Sequence, residues 1–138
     1  KKISVELGLR QSSDTNHRLF QNLIFTLKDL RNAIAHNAAI FDCRFNIAGK
    51  ATTPKKSVSN YISDELGVKN LSLHSIFEYV GLVVYLLGKL GVPKRDLKGF
   101  VKAVENCKND LEKKVDRKIS AQVIPTNTNK LLHHLKGI

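Results

Sequence analysis

The sequence predicts an all-α protein, a bundle of about four to five helices with one long loop after the first major helix. Three observations carry that expectation. Apolar residues recur at spacings of three and four in successive segments, capping residues bracket those segments, and the period breaks down over one stretch only, Ile40 to Lys56. At 138 residues, with 42% hydrophobic and 25% charged side chains, the chain is long enough for one domain with its own core, so a single domain over residues 1–138 is expected. No internal repeat or low-complexity tract divides it.

Each element has a local reason. Ser12, Ser13 and Asp14 offer N-cap side chains ahead of Phe20, Leu23, Ile24, Leu27, Leu30 and Ile34, whose spacing predicts a helix over residues 15–37. From Ile40 to Lys56, Phe41-Asp42-Cys43-Arg44-Phe45 reads as an extended piece and Gly49-Lys50-Ala51-Thr52-Thr53-Pro54 as a loop. Ser57 caps a short helix running to Leu66, with Gly67 as its stop. Ser72 is expected to cap a helix from Leu73 to Leu90. Ile76, Phe77, Val80, Val83, Val84 and Leu87 make that helix apolar on nearly every side, as befits the middle of a bundle. Gly81 and Gly88, on one face of it, mark close helix packing. Gly91 suits the C-terminal cap and Pro93 the first turn of the next helix. That helix, residues 93–117, is amphipathic, with Leu97, Phe100, Val101, Val104, Leu111 and Val115 on one stripe and lysines opposite. A tail containing Pro125 leads to a last short helix around Lys130 to Lys136.

Charge and cysteine usage narrow the function classes. The 23 basic residues, 17 of them lysine, against 12 acidic ones give a net charge of +11, which favours a polyanion through phosphate neutralisation and counterion release. A solvated basic surface is the alternative. Cys43 and Cys107 fit neither a zinc-ligand spacing nor a disulfide framework, so free thiols in a reducing, cytoplasmic compartment are expected, with no metal or cofactor. The longest apolar run, Tyr79 to Gly88, falls well short of the roughly 20 residues of a bilayer span. It reads as a core helix, and no membrane partner is expected. No signal peptide opens the chain, which starts with Lys1-Lys2 in an amphipathic stretch and contains no Met, as the excised C-terminal portion of a longer protein would.

The segment richest in chemistry is Leu27-Lys28-Asp29-Leu30-Arg31-Asn32-Ala33-Ile34-Ala35-His36-Asn37. At about 100° per residue, with Leu27 at zero, Phe20, Ile24, Arg31 and Ile34 lie within about 60° of it. Arg31 therefore falls inside the apolar stripe, where a guanidinium is costly unless it is paired or reaches a cleft that binds an anion. Asn32, His36 and Asp29 share a different side, so Arg31 and His36 converge only on a cleft at the helix edge near Asn32. These residue types suit metal-free cleavage of RNA. Histidine titrates near neutrality and serves as base for the ribose 2′-hydroxyl or acid for the leaving 5′-oxygen, while the arginine fork matches phosphate oxygens. Attack by the 2′-hydroxyl leaves a 2′,3′-cyclic phosphate. Spacing alone is cheap: random placement of six Arg and five His supplies on the order of one such pair, and Arg10 with His17 is a second instance, across the Ser-Ser-Asp cap. Context separates the two, namely an apolar helix, Asn32 directly after Arg31, and small Ala33 and Ala35 that let another surface approach.

Arg31-Asn32-Ala33-Ile34-Ala35-His36 has the form of the Arg-polar-x-x-x-His signature of the HEPN superfamily. The longer string, followed by Ile40-Phe41-Asp42-Cys43-Arg44-Phe45 and less specifically by Val83-Val84-Tyr85-Leu86-Leu87 and Leu90-Gly91-Val92, resembles the Abi family of abortive-infection proteins, of the AbiD and AbiF type. The resemblance covers most of the chain, with only its first segment specific. It implies a HEPN-like all-helical homodimer in which two copies of the segment form one cleft, a metal-independent endoribonuclease activity, and a bacterial role in phage defence. It also implies Arg31 as phosphate binder and transition-state stabiliser, Asn32 as its polar neighbour and His36 as general base or acid. Members of the family usually carry a further helical region ahead of this segment.

Each assignment has a plainer rival. Arg31 could instead pair with Asp29 or Asp42, and His36 could simply sit favourably at a helix C-terminus. Asn37 assists the site or caps the helix. Lys28, Arg44, Lys50, Lys55 and Lys56 are candidates to hold an RNA backbone, with a solvated loop as the alternative. Phe41, Phe45 and Tyr61 stack on bases or pack in the core. His133-His134 form an exposed face and not a metal site, because neighbouring histidines point to different sides of a helix. His74 reads as a first-turn residue. Against the ribonuclease stands a non-catalytic RNA-binding or dimerisation module, or a helical member of a toxin–antitoxin system with an RNA or protein antitoxin as partner.

Overall fold

The computed structural model describes residues 5–9, 18–35, 46–47, 50–51 and 56–137. The fold is all-α. Helices α1 (Leu19–Ala35), α2 (Lys56–Leu66), α3 (Ile76–Lys89), α4 (Lys94–Lys114), α5 (Arg117–Val123) and α6 (Thr128–Gly137) follow one another, with strands β1 (Asn46–Ile47) and β2 (Lys50–Ala51) between α1 and α2. The two strands pair antiparallel, Asn46 opposite Ala51 and Ile47 opposite Lys50, inside the stretch where the helical period dissolves. The extended piece expected at Phe41–Phe45 and the caps expected at Ser12–Asp14 lie outside the described residues.

Helix α3 occupies the middle of the bundle, packed on α2, α4 and α6. Its residues from Phe77 to Leu82 and from Val84 to Leu86 are all buried. Gly81 permits this crowding, since a Cβ there would meet the Leu66 Cδ1 at 3.0 Å and the Leu131 Cδ1 at 3.2 Å. At Gly88 the nearest atom, Leu97 Cδ1, would stand at an ordinary 3.7 Å, so the close packing rests on one glycine of the pair. Gly81→Val is expected to wedge α2 and α6 apart and lower stability by about 1–3 kcal/mol, read as a fall in the urea midpoint. An unchanged midpoint would mean that Leu66 and Leu131 swing aside freely.

The helix ends differ from the sequence expectation in informative ways. Ser75 caps α3, accepting from the Glu78 amide, and the helix starts at Ile76. Ser72 cannot start it, because Leu73 has a φ of +56°, outside any right-handed helix. At the other end Gly91, with φ +82°, closes a Schellman motif: its amide bonds the Gly88 carbonyl at 3.1 Å and the Val92 amide bonds the Leu87 carbonyl at 3.0 Å. Pro93 is the N-cap of α4, one position outside the first turn where the sequence put it. The expected 93–117 helix stops at Lys114, because Asp116 accepts from the Lys118 amide at 2.8 Å and opens α5, a helix within what read as tail. On α4, Leu97 and Val101 are buried, but Phe100 is 42% exposed, at the rim of the apolar stripe.

Polar contacts also tie the helices. The Tyr61 and Tyr85 hydroxyls lie 2.6 Å apart, with the rings edge-on, and Tyr85 donates to the Glu65 Oε2 at 3.0 Å, which ties α2 to α3. Burial, with Tyr61 and Glu65 alongside, pushes the Tyr85 pKa far up, so it remains a proton donor. Lys108, buried on α4, pairs with Glu112 one turn on at 2.8 Å.

Candidate functional site

Helix α1 builds the site. Leu19, Leu23, Thr26, Leu30 and Ala33 form its buried face. That face is centred about 120° from Arg31, so the apolar stripe predicted around Leu27 is only half buried. Its other half is open. Ile24 is 45% exposed and Ile34 56%, with Phe20 and Leu27 half-buried beside them and Phe25 also exposed. Arg31 stands in this open flank and is itself exposed.

Beside Arg31 runs an apolar groove of about 400 Å³, lined by Leu27, Leu30, Arg31, Ile34, Ala35 and Val83. The guanidinium is its only charged lining group among the described residues. Arg31 Nη1 donates to the Asn32 Oδ1 at 2.9 Å, which fixes one edge of the fork and leaves the remaining N–H groups for an acceptor. No carboxylate among the described residues pairs with Arg31, so the Asp29 alternative is not found; Asp42 lies outside those residues. Lys28 is exposed, its Nζ 5.6 Å from the Phe25 ring centroid, a cation–π contact that keeps the ammonium on the outer side of α1.

Asp29 is half-buried, and desolvation raises its pKa despite the opposing charge of Lys28. A raised folded-state pKa means that the ionised carboxylate is less welcome in the fold than in the unfolded chain, so its cost is absent at low pH and grows as pH rises through the carboxylate range. Asp29→Asn is therefore expected to raise the melting temperature at pH 7 and to leave it unchanged at about pH 3. Equal stabilisation at both pH values would point away from the carboxylate charge.

The other expected site residues divide. Lys56 is exposed at the first position of α2, whereas for Lys50 in β2 the backbone alone is described. His36, Asn37, Arg44 and Lys55 lie outside the described residues, as do Arg10 and His17. Tyr61, offered as a base-stacking ring, is buried and bonded to Tyr85, so it serves the core. His74 precedes the α3 cap, its amide bonded to Glu78, and His133 and His134 are exposed. Cys107 is a free, exposed thiol. Val83, one wall of the groove, was read from sequence only as core; its meeting with α1 joins positions roughly fifty residues apart, for which no local pattern exists. No helix among the described residues is long and apolar enough to cross a membrane.

No family model, no curated protein and no solved structure matches this chain.

Proposed function

We propose that the chain is a metal-independent endoribonuclease of the HEPN type, acting as a homodimer in bacterial abortive infection. The observation that carries the reading is Arg31: an exposed guanidinium at the rim of an apolar groove, oriented by Asn32 and unpaired with any carboxylate among the described residues. An arginine held in this way is a ready phosphate ligand. In sequence His36 follows directly on the last residue of α1, four positions after Asn32, and is the candidate general base or acid.

In this reading the 2′-hydroxyl oxygen attacks the adjacent phosphorus while one imidazole takes its proton. The guanidinium neutralises the charge gathering on the phosphorane oxygens, and the 5′-oxygen leaves with a proton from a second imidazole, giving a 2′,3′-cyclic phosphate and a 5′-hydroxyl. A second copy of the segment supplies the second imidazole. The open flank of Ile24, Leu27 and Ile34 beside Arg31 supports dimerisation, since a helix edge so apolar is ordinarily covered.

The test is labelled RNA incubated with the protein in EDTA, with the ends of the products characterised. Cleavage to cyclic-phosphate ends supports the enzyme. RNA bound but left uncut in every condition would sink it and leave a non-catalytic RNA-binding module.

A further inference from the structure

We infer that the outer edge of α4 is a second RNA-binding surface, separate from Arg31, which grips the phosphate backbone without reading bases. The inference takes RNA as the polyanion from the function proposed above. Lys94, Arg95, Lys98, Lys102 and Lys113 are all exposed. At about 100° per residue they fall within about 100° of one another, on the side turned away from the Phe100 flank, with the neutral, exposed Asn109 in the same row. From Lys94 through Lys98 to Lys102 the cations recur every four residues, about 6 Å along the axis, and the row to Lys113 extends about 28 Å.

What distinguishes this row from an ordinary solvated face is the fate of the carboxylates beside it. Glu105 and Glu112 fall within the same arc of the wheel, and each is already engaged: Glu105 by Lys136 of α6 at 2.6 Å, Glu112 by the buried Lys108 at 2.8 Å. Neither pairs with a cation of the row, and no other carboxylate among the described residues does so. Lys108 and Lys136 thus take up these carboxylates, and the cations of the row are left to solvent, where their fields add along one edge.

The geometry also selects among polyanions. A helix that binds a lipid surface needs a free apolar face beneath its cations. No apolar side chain lies within the arc of the row; Leu97 and Val101 beside it are buried where α4 packs on α3 and α6, and the exposed Phe100 lies on the opposite flank. The row contains no aromatic side chain for base stacking, which leaves phosphate neutralisation as its means of binding.

The experiment uses a fluorescent 20-nucleotide 2′-O-methyl oligo(U), which has no free 2′-hydroxyl and so cannot be cut, in anisotropy titrations across a salt series. One variant combines Lys98→Gln, Lys102→Gln and Lys113→Gln. A control of equal charge loss combines Lys69→Gln, Lys114→Gln and Lys130→Gln, exposed positions off the row. The row variant is expected to bind at least tenfold more weakly in about 0.1 M salt and to lose about 2 from the slope of log K against log salt, while the control stays within about twofold of wild type. Equal weakening by both triples would reduce the effect to net charge and overturn the inference. So would binding of anionic phosphatidylglycerol vesicles, dependent on the row, by a protein that does not bind the oligonucleotide. The two readings fail separately. If Arg31→Ala abolishes cleavage of ordinary RNA while the row variant binds normally, the nuclease stands and the row falls. If no RNA is cut yet the row variant alone loses the oligonucleotide, the row stands and the nuclease falls.

Discussion

Arg31→Ala is expected to reduce RNA cleavage in EDTA by at least about a hundredfold while the protein remains folded. The two halves of that expectation have separate causes. Folding is spared because Arg31 is exposed and its side chain bonds, within the described residues, to its neighbour Asn32, so truncation leaves no buried group unpaired. Catalysis suffers because the guanidinium is the charged group of the groove, and its forked donors match phosphate oxygens whose charge grows in the transition state. Arg31→Lys separates charge from geometry. An ammonium keeps the charge but loses the fork and the double use of its edges, one toward the Asn32 carbonyl and one toward substrate, so that variant should bind RNA nearly as well as wild type and cut it much more slowly. His36→Ala should match Arg31→Ala, and the double variant should be little worse than either, as groups acting in one step are not additive. Full cleavage by Arg31→Ala, with the same cyclic-phosphate ends, would remove this segment from the mechanism.

Glu78→Ala is expected to be the most destabilising single change among the polar residues of the core. The side chain is 2% exposed. Its carboxylate accepts from the Ser72 amide at 3.1 Å, the Ser72 hydroxyl at 3.0 Å and the His74 amide at 2.9 Å, while its own amide donates to the Ser75 hydroxyl. This is a capping box extended backwards, in which one glutamate fixes the turn that carries the left-handed Leu73 and aims the chain into α3. Removal leaves those donors without an acceptor, at a cost of about 3 kcal/mol and about 10 °C in melting temperature. Glu78→Gln keeps the volume but turns an NH₂ toward donors, so an intermediate loss is expected. The effect reaches function as well, since α3 carries Val83 into the wall of the groove beside Arg31. A loss below about 1 kcal/mol would show that the turn reopens to water at no cost.

Much of this was legible in the chain. The stops at Gly67 and Gly91 follow from φ values that glycine adopts freely, the apolar α3 announces its central place, and the run from Phe20 to Ile34 fixes α1 within a few residues. Where the sequence misled, two local signals competed. Ser72 and Ser75 are both plausible caps, and the choice fell to the one for which the Glu78 carboxylate could satisfy the intervening turn. The break at Asp116, the cap of the next helix, was masked by a period that continues through Val115.

The site divides along the same line. Sequence alone determined that Arg31, Asn32 and His36 occur within six consecutive residues, because local spacing and local chemistry are written in consecutive residues. It also determined that the chain is strongly cationic and that its bundle is helical. Only the tertiary structure decided that the apolar stripe of α1 is half open, that Val83 comes from α3 to wall the groove, and that Arg31 has Asn32 for a partner and not Asp29. It likewise decided that Glu105 and Glu112 are engaged elsewhere, leaving the cations of α4 unpaired. The physical reason is common to all of these. A helical period reports that a face is apolar, but which part of it is covered, and which charge is neutralised, depends on groups brought from far along the chain by packing.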